Sequence, residues 1–394
     1  MQKFLIVLSV VLLVGTLAFA AEAGKLTVWC SEVQVDILSA LGSEFEAQYG
    51  IPVDVQEVPF GDIRSKFVTA APAGEGPDII VGAHDWTGEL AANGLLVPMD
   101  FLTLTDRAEF METSLKGFEY GGKLYGMPYA IEAIALMYNK DYLPEPPETM
   151  DELIAFAQEM TDDEFRGFIY NSGDFYMSAP FLFAAGGYVF KDTGAGLDEN
   201  DIGLANEGAI LGASLIKEMY DLGVLKRGDN YQIMDGLFKD GMAAAIINGP
   251  WAVKDIREAG IDYGIAPIPS IDGHPAKPFT GIQGFMINSK SPNTLFAIDF
   301  LANFINTKEV MYQIYLADPR IPTRLDVLEI VEDDPDVVAF FESASKGIPM
   351  PNIPAMNSVW SAAAGALTQI INDQLTPEEA LQEAVAKIRL ALEQ

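Results

Sequence analysis

From residue 26 onward, short apolar runs alternate with amphipathic ones. Leu26-Thr27-Val28-Trp29-Cys30 reads as a strand. Residues 33–49 read as a helix with Ile37, Leu38, Leu41 and Phe45 on one face, stopped by Gly50. Ile51, Val53 and Val55 alternate as a second strand, 62–71 is a second helix, and 78–82 is an apolar third strand. This β-α-β-α-β opening predicts a mostly parallel sheet. Residues 131–138 form another strand-like apolar run, and Thr149-Met150-Asp151-Glu152 has the spacing of a capping box. Further strands are predicted at 242–247, Tyr263–Ala266 and 284–287. The last helix is the clearest, with Thr376 as N-cap, Pro377 at N1, Glu379 at N3, and Leu381, Val385, Ile388 and Leu392 on one face. The chain shows no repeats or low-complexity segment, and the acidic, turn-rich stretches 194–201 and 332–336 read as solvated loops.

The first 20 residues break this pattern. Lys3, an apolar core over 4–14 and Ala18-Phe19-Ala20 together read as a cleaved export signal. The apolar run falls short of the roughly 20 residues that span a bilayer. The single cysteine, Cys30, lies inside the first strand, so neither lipid attachment nor a disulfide is expected, and it reads as a small buried hydrophobe. The remaining chain exceeds what one core usually holds, which predicts two domains. With 57 acidic against 24 basic residues, the net charge of −33 excludes nucleic acid and anionic membrane surfaces as partners. Neutral or cationic solutes suit that field.

Most enzyme chemistries fail on the motifs. There is no Walker sequence, and Gly74-Glu75-Gly76 lacks the third glycine of a dinucleotide fingerprint. The calcium-like Asp198-Glu199-Asn200-Asp201 run places Ile202 at a ligand position and Ala209 where a bidentate Glu belongs. Two histidines and one cysteine make a transition-metal cage improbable, and neither His84 nor His274 has a nucleophile context. A glycosidase needs only two carboxylates, which Asp85, Glu132 and Asp174 offer, and it stands as the alternative from a different class. The opening, however, is not an eightfold strand–helix repeat.

The positive signal is aromatic plus carboxylate. Two apolar runs, 76–81 and 246–247, break into polar and aromatic residues where ligands gather at strand ends: Asp85-Trp86 after the first, Asn248-Gly249-Pro250-Trp251 after the second. Trp360 follows Met350-Pro351-Asn352-Ile353-Pro354, and Tyr176 sits in Asp174-Phe175-Tyr176. Any one of these rings reads first as core. Together, beside turns, they suit the C–H faces of pyranose rings, with carboxylates as hydroxyl acceptors.

On these residues the chain resembles the maltose/maltodextrin-binding proteins, extracytoplasmic receptors of ATP-binding-cassette sugar importers. The resemblance covers nearly all of the chain after residue 20. It is carried by 76–85, 130–133 running into Tyr138-Asn139-Lys140-Asp141, Gly186-Gly187-Tyr188, 248–251 and 350–354. It implies an α/β periplasmic-binding-protein fold of type II, with two hinged lobes, each a mostly parallel sheet flanked by helices. The N-terminal lobe would be 21–131 plus 285–329, and the C-terminal lobe 132–284 plus 330–394. The implied sugar contacts are Asp85, Glu132, Tyr176, Trp251 and Trp360. Asp174 stands where the best-known members have Glu. Gly82 and Trp86 replace a Trp and an Arg, as if the aromatic had moved along the loop. Val33-Gln34 replaces an Asp-Lys pair, leaving Gln34 as a neutral hydrogen-bonding candidate. Ser361 and Ala364 replace a Tyr and an Arg. The resemblance implies a monomeric periplasmic receptor for maltose or maltotriose with importer permease subunits as partners. It implies no catalytic residue, metal or cofactor. Trehalose is the alternative sugar.

Overall fold

The computed structural model describes residues 24–194 and 196–393, so the export signal expected at 1–20 lies outside the described residues. Two sheets carry the fold. Their strands in chain order are β1 (Leu26–Cys30), β2 (Val53–Glu57), β3 (Ile79–Ala83), β4 (Gly126–Glu132), β5 (Ala135–Asn139), β6 (Ala245–Asn248), β7 (Tyr263–Ala266), β8 (Phe279–Ile287), β9 (Ile321–Pro322) and β10 (Ile348–Pro349). The opening is as the pattern predicts: β1 pairs in parallel with β2 and β3, through helices α1 (Val35–Tyr49) and α2 (Phe60–Ala70). Gly50 closes α1 in the left-handed region at φ 72°, where a side chain would be strained.

The expectation of mostly parallel sheets is corrected. The first sheet runs β9-β4-β8-β3-β1-β2, with β10 pairing in parallel with the start of β8; β8 is antiparallel to β4 and β3, as is β9 to β4. The second sheet, β6-β5-β7, is antiparallel throughout. Only the isolated bridges of Arg166 and Ile169 to Ala243 and Ile246 add a parallel neighbour there. The run 131–138, read as one strand, is two. It leaves the first sheet at Glu132 and enters the second at Ala135. Both strands are buried along their whole length, so hydrophobicity continues through the change of sheet without a turn signal.

The chain leaves the first sheet for the second at Ala133-Ile134, returns between β7 and β8, and makes a third passage after β9 into a helix over Pro335–Lys346. That helix packs on β7, and its Ser343 hydroxyl donates to the Ile134 carbonyl at 2.7 Å. On the second side, helices Phe175–Ala184, Glu207–Asp221, Met356–Ile371 and Pro377–Leu392 pack on one another. The last carries the predicted capping box, with the Thr376 side chain accepting from the Glu379 amide.

Asp78 ties the first sheet to its loops. It is fully buried and accepts the Thr27 amide at 2.7 Å, the Ser291 hydroxyl and the Asn293 amide group at 3.2 Å. Asp78→Ala should therefore lower unfolding free energy by about 3 kcal/mol, because three buried donors lose their acceptor. A urea titration in which Asp78→Ala matches wild type within 0.5 kcal/mol, on the order of a neutral surface change, would refute this role.

Candidate ligand-binding site

The site begins where β3 ends. Ala83 leads into a single 3₁₀ turn, His84–Trp86, and then a helix over Thr87–Ala92. A Cβ on Gly82 would lie 1.9 Å from Trp86 Cζ3. Trp86 thus fills the space that a side chain at 82 would take, and it lies tilted against Phe60 with centroids 5.2 Å apart. The turn also fixes His84, whose Nδ1 accepts from the Ile282 amide at 3.0 Å while Nε2 lies 3.1 Å from the Met350 carbonyl. Burial lowers its pKa to about 4, against the opposing pull of those backbone contacts, so His84 is a neutral brace.

Asp85 is 8 % exposed, and its Oδ2 accepts the Trp360 Nε1 proton at 3.2 Å. Burial pushes its pKa up to about 7, although Arg64 and the Trp360 hydrogen bond pull the other way. Arg64 pairs with Glu89 at 2.5 Å, and Asn357 donates to the same carboxylate at 3.2 Å. With Trp86, Ile353 and Pro354, these five residues line a small cavity open to solvent, with ≈ 180 Å³ of empty space counting the adjoining solvent. Arg64, Glu89 and Asn357 were missed in the sequence, since polar and charged residues on helices read as solvated faces.

A second group is aromatic. Asp174 is the N-cap of the helix Phe175–Ala184, accepting from the Tyr176 and Met177 amides at 2.8 and 3.2 Å. This seats Tyr176 in the first turn, 6.3 Å from Trp251 between ring centroids. Phe279, at the start of β8, stacks on Tyr176 at 6.1 Å and lies 5.8 Å from Trp360. Phe279 was not singled out in the sequence, where it reads as an ordinary strand apolar residue. Among the described residues the Tyr176 hydroxyl is buried without a hydrogen-bond partner, and such a group is stabilised only by a partner that reaches it. Trp251 is cradled as Trp86 is: a Cβ on Gly249 would lie 2.2 Å from its Cζ3, and its Nε1 donates to the Tyr231 hydroxyl at 3.0 Å.

Glu132 and Gln34 lie deeper. Glu132 accepts from Gln283 Nε2 at 3.0 Å and pairs with Arg320 Nη1, making it a buried salt-bridge member. Gln34 accepts from the Ser31 hydroxyl at 2.5 Å and donates to the Tyr129 hydroxyl at 3.0 Å and Asp318 at 3.2 Å. Its polar atoms are committed to protein partners. The structure thus joins Asp85, Trp86 and Trp360 around the cavity, and Tyr176 and Trp360 against Phe279 with Trp251 against Tyr176, while Gln34 lies as support behind Asp318.

The sequence profile of the bacterial extracellular solute-binding proteins matches residues 40–339. The chain is 30 % identical to a galactooligosaccharide-binding protein of Bacillus subtilis (strain 168), over 93 % of this chain and 89 % of that protein. It is 30 % identical to a maltotriose-binding protein of Pyrococcus abyssi (strain GE5 / Orsay), over 93 % and 81 %. A maltodextrin-binding protein of Bacillus subtilis (strain 168) is 28 % identical over 94 % and 91 %.

The raised pKa of Asp85 has a signed consequence. A carboxyl whose folded pKa lies above its unfolded value contributes stability that is full below about 4 and is lost as pH rises through about 7. The ligand-free protein should therefore melt at a higher temperature at pH 5.5 than at pH 8 by this group's contribution, and Asp85→Asn should flatten the slope. Parallel melting curves for wild type and Asp85→Asn across that range refute the assignment.

Proposed function

This chain belongs to the bacterial extracellular solute-binding protein family, and we propose that it captures α-glucosidic oligosaccharides, maltose or maltotriose, for an ATP-binding-cassette importer. The observation that carries this reading is the convergence of Tyr176, with its unpartnered buried hydroxyl, and the rings of Trp251 and Trp360 next to Asp85. Apolar ring faces and fixed acceptors are the two things a pyranose requires. The maltotriose- and maltodextrin-binding relatives support the choice of sugar.

In this reading the two sheets head two lobes, 21–131 plus 285–329 and 132–284 plus 330–394, hinged at the three chain passages. Asp85, with Trp86 packed against the same cavity, and Glu132 act from the first lobe and the hinge side. Asp174, Tyr176, Trp251 and Trp360 act from the second. A ligand moves such an equilibrium only through its preference for the closed form, so contacts from both sides are needed. The closed form is what the permease subunits read. The protein works as a periplasmic monomer after removal of its leader, without cofactor, metal or catalysis. A receptor for galactose-containing oligosaccharides is the second reading, favoured by the Bacillus galactooligosaccharide-binding relative.

Maltotriose should raise the melting temperature, because a ligand that binds only the folded state at about 100-fold over Kd adds roughly 2.7 kcal/mol. Glucose, filling a single subsite, should do much less. A larger shift with galactosyl oligosaccharides selects the second reading, and a flat response to all sugars removes both. Prolonged incubation with maltodextrin should release no reducing ends.

Trp360→Ala and Trp86→Ala should separate binding from packing. Trp360 offers a partly buried ring to the site, so its loss should weaken maltotriose binding by about 2 kcal/mol at a hot spot. Trp86 is packed under Phe60 and over Gly82, so its loss should cost about 3 kcal/mol of stability. Titration calorimetry and urea unfolding on both variants check the split; the reverse pattern overturns it.

A further inference from the structure

Between Glu132 and Trp251 stands a side chain that no sequence motif singled out. Arg320 is 5 % exposed and lies just before β9. Its Nε donates to Asp318 Oδ1 at 2.8 Å, its Nη1 pairs with Glu132, and its guanidinium carbon lies 5.7 Å from the Trp251 ring centroid. Asp318 is itself anchored, since its Oδ2 accepts from Gln34 Nε2 and the Tyr129 hydroxyl, each at 3.2 Å. These anchors come from the first sheet and its loops, whereas Trp251 follows β6 of the second. Glu132 ends β4 at the point where the chain leaves for the second sheet.

A planar guanidinium suits this place. It gives its edge to carboxylates and its face to an indole at the same time, which a lysine ammonium cannot do. Burial alone would favour loss of the proton, but the negative charges of Asp318 and Glu132 outweigh it and hold Arg320 charged.

We propose that Arg320 is a positioning residue of the ligand site, setting the Glu132 carboxylate and the Trp251 ring at one spacing across the junction of the two sheets. The proposal rests on the oligosaccharide reading above. Arg320 acts through the two groups that meet the sugar. A binding contribution of this kind is separable from structural neutralisation of buried carboxylates, because any retained positive charge serves the second purpose.

Calorimetric titration with maltotriose and urea unfolding of the sugar-free protein, on wild type, Arg320→Lys, Arg320→Met, Glu132→Gln and the double variant E132Q/R320M, test it. Arg320→Lys should regain most of the sugar-free stability that Arg320→Met loses, yet bind about tenfold more weakly than wild type, a difference of about 1.4 kcal/mol. The double variant lacks the orphaned Glu132 charge. It serves where the single variants do not fold, and should bind several-fold more weakly than Glu132→Gln because Trp251 is released. Recovery of stability and affinity together in Arg320→Lys overturns the proposal. So does a double variant that binds like Glu132→Gln. A wild type inert to maltotriose and to galactosyl oligosaccharides removes the sugar reading and this proposal with it. A binding wild type with indifferent Arg320 variants removes the proposal alone.

Discussion

The ion network of Arg320, Glu132 and Asp318 sits where the chain changes sheets, and the geometry of the ligand site hangs from it. Burying three charges costs several kcal/mol per ion unless partners complete them. Here Gln283 also donates to Glu132, and Gln34 and Tyr129 to Asp318. An apolar filling of the same volume is often as stable, so the gain from such a network lies in register. It joins the end of β4, Gln283 of β8 and the approach to β9. A bulge in the β8–β4 pairing falls between Gln283 and Gly284, next to the residue that reaches Glu132. Small errors there would be carried into the aromatic group, because Phe279 opens the same strand.

A second constraint recurs on both sides. Gly82 and Gly249 each lie at or just past a buried strand end, and each leaves room for a tryptophan a few residues on to fold back over the backbone. A methyl group at either glycine would overlap a rigid indole rather than a flexible tip. These glycines are needed for close approach and not for backbone freedom, since neither has a positive φ. Placing a large ring on a strand end this way holds it through covalent proximity, and an aromatic with two torsions loses little entropy in the process.

Much of this was legible along the chain. The opening strands and helices, Gly50 and the Thr376 cap follow from local periodicity and turn chemistry, which act within a few residues. Strand direction and the change of sheet at Ala133 did not follow, because a fully buried run looks the same in either sheet and either orientation. Among site residues, Asp85, Tyr176, Trp251 and Trp360 stood out as polar or aromatic groups beside turns. Arg320 and Phe279 did not: one follows a proline in an undistinguished polar stretch, the other opens an ordinary apolar strand. Their importance comes from partners far away in sequence. Glu132 was singled out as a costly carboxylate in an apolar strand, and that cost is met by Arg320.

Aromatic faces alone discriminate poorly between sugars. A pyranose of either epimeric series presents C–H groups to an indole, and the gain from covering that area changes little when one hydroxyl turns from equatorial to axial. Discrimination comes from polar groups that are buried and unable to move, since a missing or misplaced hydroxyl then leaves one of them unpaired. In this chain the immobility is built from behind: Asp85 is held by Trp360, Glu132 by Arg320 and Gln283, Asp174 by the amides of its own helix. The Tyr176 hydroxyl differs: it is buried and has no hydrogen-bond partner among the described residues. In the proposed reading that hydroxyl is where a sugar of the wrong epimeric series would be felt most, because a sugar hydroxyl would have to supply its missing partner.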